Sequence, residues 1–353
     1  MKTKIESLGI YLPKKRLTTA ELLKRCKVKP RWDFTRITGI REIRVSEGET
    51  ALDMAVSAAN QAFSMSQYRP EDVELIVSTS LSRFDAHHSL VYEPSKSVRL
   101  RTALGAQNAQ VFDIVNACAG MFTGALVVDS FIKSGAIRCG MVISAEQGSK
   151  LHDSAYRNIK HGLDGQFASL TLGDCGAAII LDASPEERVG FHLFDFVTGA
   201  KYNDLCVGFP SRKGGGTTMI TKPVKLHRAG LKNGTPYIKE ALDRTGWHLS
   251  EVDYFIPHQT AERTIKKINK IIYEYFRVPP RHNQIINVQN YGNTATTAHF
   301  LALHESMMNQ TLQINHKLMF LIGASGLIVG NVTYTLDDLP TRYRAHQARA
   351  VAS

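Results

Sequence analysis

The 353-residue chain lacks any apolar run approaching the roughly 18 residues of a membrane-spanning helix. Its first residues, MKTKIESLGIYLP, form a charged, strand-like start with no hydrophobic leader core or cleavage site, so the expectation is a mature cytoplasmic protein. Cysteine is scarce: 26, 118, 139, 175 and 206, an odd count without CxxC spacing. That argues against a disulfide framework and against a zinc or other metal site. No nucleic-acid-binding motif accompanies the basic residues, although the net charge is +11. The excess is spread along the chain and suits an acidic protein partner or phosphate-bearing substrates such as coenzyme A. A basic surface without a role is the plain alternative.

What is present is an alternation of short apolar runs with helix-like stretches. Val73–Val77 reads as a strand, a helical stretch follows Pro94, and Val111–Val115 reads as a buried strand. Ala119–Ile132 has helix formers, small residues and no proline, and strands follow at Gly140–Ser144 and Ala177–Leu181. The second half repeats the order. Strand Tyr254–Pro257 precedes helix Ala261–Phe276, strand Gln284–Val288 precedes helix Thr294–Met308, and strands at Leu318–Ile322 and Val332–Leu336 close the series. Two like halves predict a pseudo-twofold α/β/α/β/α sandwich, with halves at 1–185 and 186–340. The basic segment 341–353 reads as a solvated terminal tail.

Sites in such sheets lie beyond the carboxyl ends of strands. Cys118, in "NACAG", stands at a strand-to-helix corner. Unpaired amides and the helix dipole there favour a thiolate and can bind an oxyanion; a small buried residue is the bland alternative. His258 follows the strand ending at Pro257, and Asn293 follows the turn after Val288. A helix-capping histidine and a turn asparagine are their ordinary readings. The repeat would bring all three together. A thiol could take an acyl group from a thioester, while the imidazole and carboxamide donate to an enolate oxygen. That favours carbon–carbon bond formation between thioesters. A cysteine hydrolase, with the histidine as base and the asparagine orienting it, stays open on these residues; a non-catalytic partner subunit is a further alternative, against which the intact Cys118, His258 and Asn293 set argues.

The motifs "NACAG" (116–120), "PHQTAER" (257–263), "YGNTA" (291–295), "GASGLIVGN" (323–331), "TRITGIRE" (35–42) and "LGDCGAA" (172–178) resemble the thiolase superfamily, and within it the β-ketoacyl-acyl carrier protein synthase III group. The resemblance runs from residue 1 to about 337. It implies the five-layered thiolase fold, a homodimer and an acidic acyl carrier protein as partner. Acyl-coenzyme A or acyl-carrier thioesters would be substrates, with no separate cofactor. It further implies Cys118 as nucleophile with His258 and Asn293, the Ser325 amide as second oxyanion donor, coenzyme A contacts at Trp32 and Arg36, and carrier docking at Arg263. In "VYEPSKSVRLRTALG" (91–105), Glu93 stands where chain-initiating relatives carry a hydrophobic residue. A Glu-Pro there resembles the branch that joins two acyl chains, including olefin, pyrone and dialkylresorcinol-type enzymes. Glu93 would act as a base across the dimer; a surface glutamate ahead of a helix is its bland reading.

Overall fold

A computed structural model describes residues 1–84, 90–211 and 216–352. The first half builds a five-stranded sheet from β1 (Thr3–Tyr11), β4 (Leu75–Ser78), β5 (Gln110–Asp113), β6 (Cys139–Gln147) and β7 (Asp174–Ala183), in the order β1-β7-β6-β4-β5. Between them β2 (Lys15–Thr18) and β3 (Glu42–Val45) form a separate antiparallel pair. The second half supplies β8 (Gly190–Thr198), β11 (Tyr254–Pro257), β12 (Lys317–Ala324) and β13 (Ile328–Thr335), in the order β8-β13-β12-β11. A further ribbon pairs β9 (Cys206–Pro210) with β10 (Thr217–Thr221).

The two sheets repeat one pattern. In each, two antiparallel pairings are followed by parallel ones: β6 with β4 and β4 with β5 in the first, β12 with β11 in the second. Residues 284–288 differ from expectation here. Only Gln284 bridges Phe255, through Phe255 N–H to Asn283 O and Ile285 N–H to Phe255 O, both at 2.9 Å. The Gln259 Oε1 then takes the Asn287 N–H at 3.0 Å, and the chain turns into the helix Val288–Tyr291.

Both faces of each sheet are covered, so the central strands are apolar throughout rather than alternating. In β7, Ala177, Ile179 and Leu181 face the middle of the molecule, while Ala178 and Ile180 pack under helices Ala51–Met65 and Lys96–Leu104. In β12, Leu318, Phe320 and Ile322 face the middle, while Met319 and Leu321 meet helices Pro223–Thr245 and Glu262–Phe276. Helices Gly120–Lys133 and Ala298–Met308 fill the middle layer, with the Phe122 ring 4.9 Å from those of both Phe300 and Phe320. This is the five-layered thiolase fold. Each such buried ring contributes roughly 1.5–3 kcal/mol.

The segment after 340 is not a solvated tail. It belongs to helix Leu339–Ala352, whose Tyr343 is buried in the core and hydrogen-bonded to His304. Arg342 reaches Asp338 at 2.8 Å and the Glu6 carbonyl at 3.0 Å. The apolar Leu339 and Tyr343, four residues apart, are the stripe that holds this helix down.

A methyl group on Gly173 would come 2.2 Å from the Tyr291 carbonyl oxygen. Gly173 also donates to Asn293 O at 3.1 Å, so the clash would push the Asn293 segment away. Gly173→Ala is expected to destabilise the fold by about 1–3 kcal/mol in denaturant melts; an unchanged melt would show that this contact is not tight.

Candidate active site

After β5 the chain makes a sharp corner. Ala117 takes a left-handed conformation (φ 45°), and Ala119 and Gly120 donate back to the Asn116 and Ala117 carbonyls at 3.1 and 3.0 Å. Such a conformation costs a non-glycine residue of order 1–3 kcal/mol. It lifts Cys118 to the mouth of the helix Gly120–Lys133. Asn116 Nδ2 braces the corner by donating to Thr123 Oγ1 at 2.8 Å.

His258 leaves β11 with its backbone N–H on the Leu321 carbonyl of β12 at 2.9 Å. Asn293 is fixed from both sides, its N–H on Thr171 O at 2.8 Å and its carbonyl accepting from Gly173. Its Oδ1 accepts the Ala295 N–H at 2.9 Å, so its NH₂ is the end that can donate to a ligand. Ser325 sits in the turn between β12 and β13.

Cys118, His258, Asn293 and Ser325 line one cavity of about 1950 Å³, which Trp32 and Arg263 also line. Trp32 stacks on Phe34 at 5.2 Å and meets the edge of Phe167 at 6.2 Å. Arg263 is exposed at the start of helix Glu262–Phe276. Arg36 does not join them. It lies on the solvent side of helix Phe34–Thr38, whose Ile37 and Thr38 line the cavity instead. Glu93 is exposed and outside the cavity within one chain; Phe84 and Leu90, flanking the undescribed residues 85–89, reach it.

Burial governs the electrostatics. It pushes the Cys118 thiol up to about 12, with Cys206 and then Glu146 adding to the effect. Burial likewise holds His258 down to about 3, with His299 and His227 adding. Burial thus works against the thiolate expected at the helix start and against an imidazolium at His258.

Several contributors had no motif to announce them. Glu146 lines the cavity at the end of β6. Its carboxylate accepts from Leu81 N–H (2.9 Å), Ser82 N–H (3.1 Å), Ser82 Oγ (2.9 Å) and Thr296 Oγ1 (2.7 Å). It thereby ties the first half to the segment carrying Asn293. A charge closing an otherwise apolar strand was the only signal. Cys206 and His227 also line the cavity.

Two family models match the chain. Residues 112–201 match "3-Oxoacyl-[acyl-carrier-protein (ACP)] synthase III", and residues 242–336 match the C-terminal model of the same family. The β-ketoacyl-[acyl-carrier-protein] synthase III of Aquifex aeolicus is 29% identical over 339 residues, covering 94% of this chain and 99% of that protein. The crystal structure of the Aquifex aeolicus 3-oxoacyl-[acyl-carrier-protein] synthase III superposes with a TM-score of 0.80 at 27% identity, over 95% of this chain and 100% of that one. Xanthomonas campestris OleA, solved with lauric acid and lauroyl-CoA, has the same fold, with a TM-score of 0.83 at 20% identity over 95% and 99% of the two chains.

Only a thiolate is alkylated, and the Cys118 thiol titrates near 12. Its iodoacetamide reaction should therefore quicken about tenfold per pH unit from 7 to 9 without levelling. A plateau below pH 8 in rates followed by mass spectrometry would show a stabilised thiolate.

Proposed function

The chain belongs to the 3-oxoacyl-[acyl-carrier-protein] synthase III family of acyl-transferring condensing enzymes, and from that premise we propose that it joins two acyl thioesters through Cys118, in specialised lipid or polyketide synthesis. The thiol attacks an acyl thioester of coenzyme A or a carrier protein, the acyl group passes to Sγ, and the released thiol carries away the proton. The N–H groups of Cys118 and Ser325 receive the oxyanion of the tetrahedral intermediate. A second thioester, malonyl-type or β-ketoacyl, then becomes an enolate by losing carbon dioxide or by giving its α-proton to Glu93, and the enolate oxygen is bound by His258 and the Asn293 NH₂. Its α-carbon attacks the acyl-enzyme and expels the Cys118 thiolate, giving a β-keto product.

The observation that carries this reading is the convergence of all four groups on a single cavity. At about 1950 Å³ it exceeds the roughly 300–1,000 Å³ of ordinary small-molecule sites. Phe167, Phe209, Ile220, Leu226 and Leu231 are among its lining residues. A pantetheine arm together with an acyl chain suits that volume. Burial of both groups works against a resting thiolate–imidazolium pair, the arrangement of a cysteine hydrolase. An acidic carrier protein would meet Arg263, Lys225, Arg228 and Lys267 at the cavity. A homodimer would bring the partner subunit's Glu93 to the acyl chain as base.

The second reading is a chain-initiating fatty-acid synthase, favoured by the function named for the curated relatives. Glu93→Gln separates the two. In the acyl-joining enzyme, the variant should acylate Cys118 at the normal rate and lose condensed product at least tenfold, by intact mass and product chromatography. Unchanged product formation would favour the initiating role.

A further inference from the structure

The helix Ala298–Met308 is apolar on most sides, yet its second residue is a histidine, fully enclosed at 1% exposure. His299 has its Nε2 3.1 Å from the Leu321 carbonyl oxygen, and this same oxygen takes the His258 backbone N–H at 2.9 Å. A carbonyl can only accept, so the His299 proton is on Nε2 and its Nδ1 is a bare lone pair. The His299 ring stacks on that of His258, with centroids 5.4 Å apart and planes 23° apart. Phe122 and Phe320 close its other sides at 5.3 and 6.3 Å. The Nδ1 atoms of both histidines are buried without a hydrogen-bond partner.

We infer that His299 is a positioning residue for His258: it fixes the plane of that ring and keeps it a neutral donor with its proton on Nε2. The inference rests on the condensing role proposed above. In a hydrolytic site a carboxylate or amide beneath the histidine orients it and steadies the imidazolium. Here that neighbour is a second imidazole whose only proton is already committed to Leu321. The titratable groups sharing the cavity with His258 are Cys118, Glu146, Asp164, Cys206, His227 and the cations Lys222, Lys225, Arg228, Lys232, Arg263 and Lys267; the Asp164 carboxylate accepts from the Lys160 and Gln166 N–H groups at 3.0 Å. The Glu146 carboxylate is occupied by Leu81, Ser82 and Thr296. Among the described residues no group so placed rewards a proton on His258 Nδ1, so the ring donates to an enolate oxygen rather than accepting from the thiol. His299 thereby favours condensation of the acyl-enzyme over its hydrolysis.

The test combines ¹⁵N-histidine NMR with the two half-reactions, in wild type, His299→Val and His299→Gln, each checked for folding by thermal melt. Wild-type His258 should show one neutral tautomer, protonated on Nε2, down to pH 5. In His299→Val it should lose the single tautomer and take up a proton at a higher pH than in the wild type. Condensation should fall tenfold or more while Cys118 acylation falls less than threefold. His299→Gln, which keeps a donor for Leu321, should recover at least a third of the lost condensation. An unchanged His258 titration and tautomer in His299→Val would overturn the inference, as would equal losses in both half-reactions. If no thioester acylates wild-type Cys118, the condensing role fails, and the NMR result alone decides whether His299 governs His258.

Discussion

The two middle helices, Gly120–Lys133 and Ala298–Met308, have to pack ring against ring between the sheets before the site can exist. One carries Cys118 at its N-terminal corner, and the other follows Asn293. Phe122 touches Phe300 and Phe320 at 4.9 Å, so a single aromatic side chain spans the first half, the second half and β12. Glu146, gripping both Ser82 and Thr296, is the polar counterpart of that joint. Groups 175 residues apart in the chain, Cys118 and Asn293, meet because these contacts leave the halves no freedom to slide.

The same packing surrounds the catalytic groups with protein, and that burial shapes their chemistry. Removing water penalises every charged form, so burial pushes the thiol up and holds the imidazole down. A neutral imidazole is a poor base for a resting thiol but a serviceable donor to an oxygen that becomes negative only during reaction. The energy spent in burying these groups is recovered when charge develops opposite donors already in place.

Much of this was legible in the chain. The strand-end placement of Cys118 and His258 followed from the repeated order of elements, since buried strands and long helices leave strong patterns, whereas Asn293 follows the helical turn Val288–Tyr291 rather than a strand. The short ladder at Gln284 was not legible, because a side chain, Gln259, diverts the backbone after one bridge. The helix over residues 339–352 was hidden by its basic residues, which mask an apolar stripe of two, Leu339 and Tyr343. His299 and Glu146 belong to no motif; their meaning lies in neighbours brought from distant sequence. Arg36 fell outside the cavity because its helix turns Ile37 and Thr38 inward.

The fate of the acyl group on Cys118 separates condensation from hydrolysis most directly. Wild-type protein and Cys118→Ala would be loaded with a series of acyl-coenzyme A thioesters, followed by intact mass, and then given a second thioester. A condensing enzyme should show a mass gain that depends on Cys118 and is discharged as a β-keto product. Discharge as free fatty acid at the same rate, with or without the second thioester, would contradict that role and mark the chain as a hydrolase.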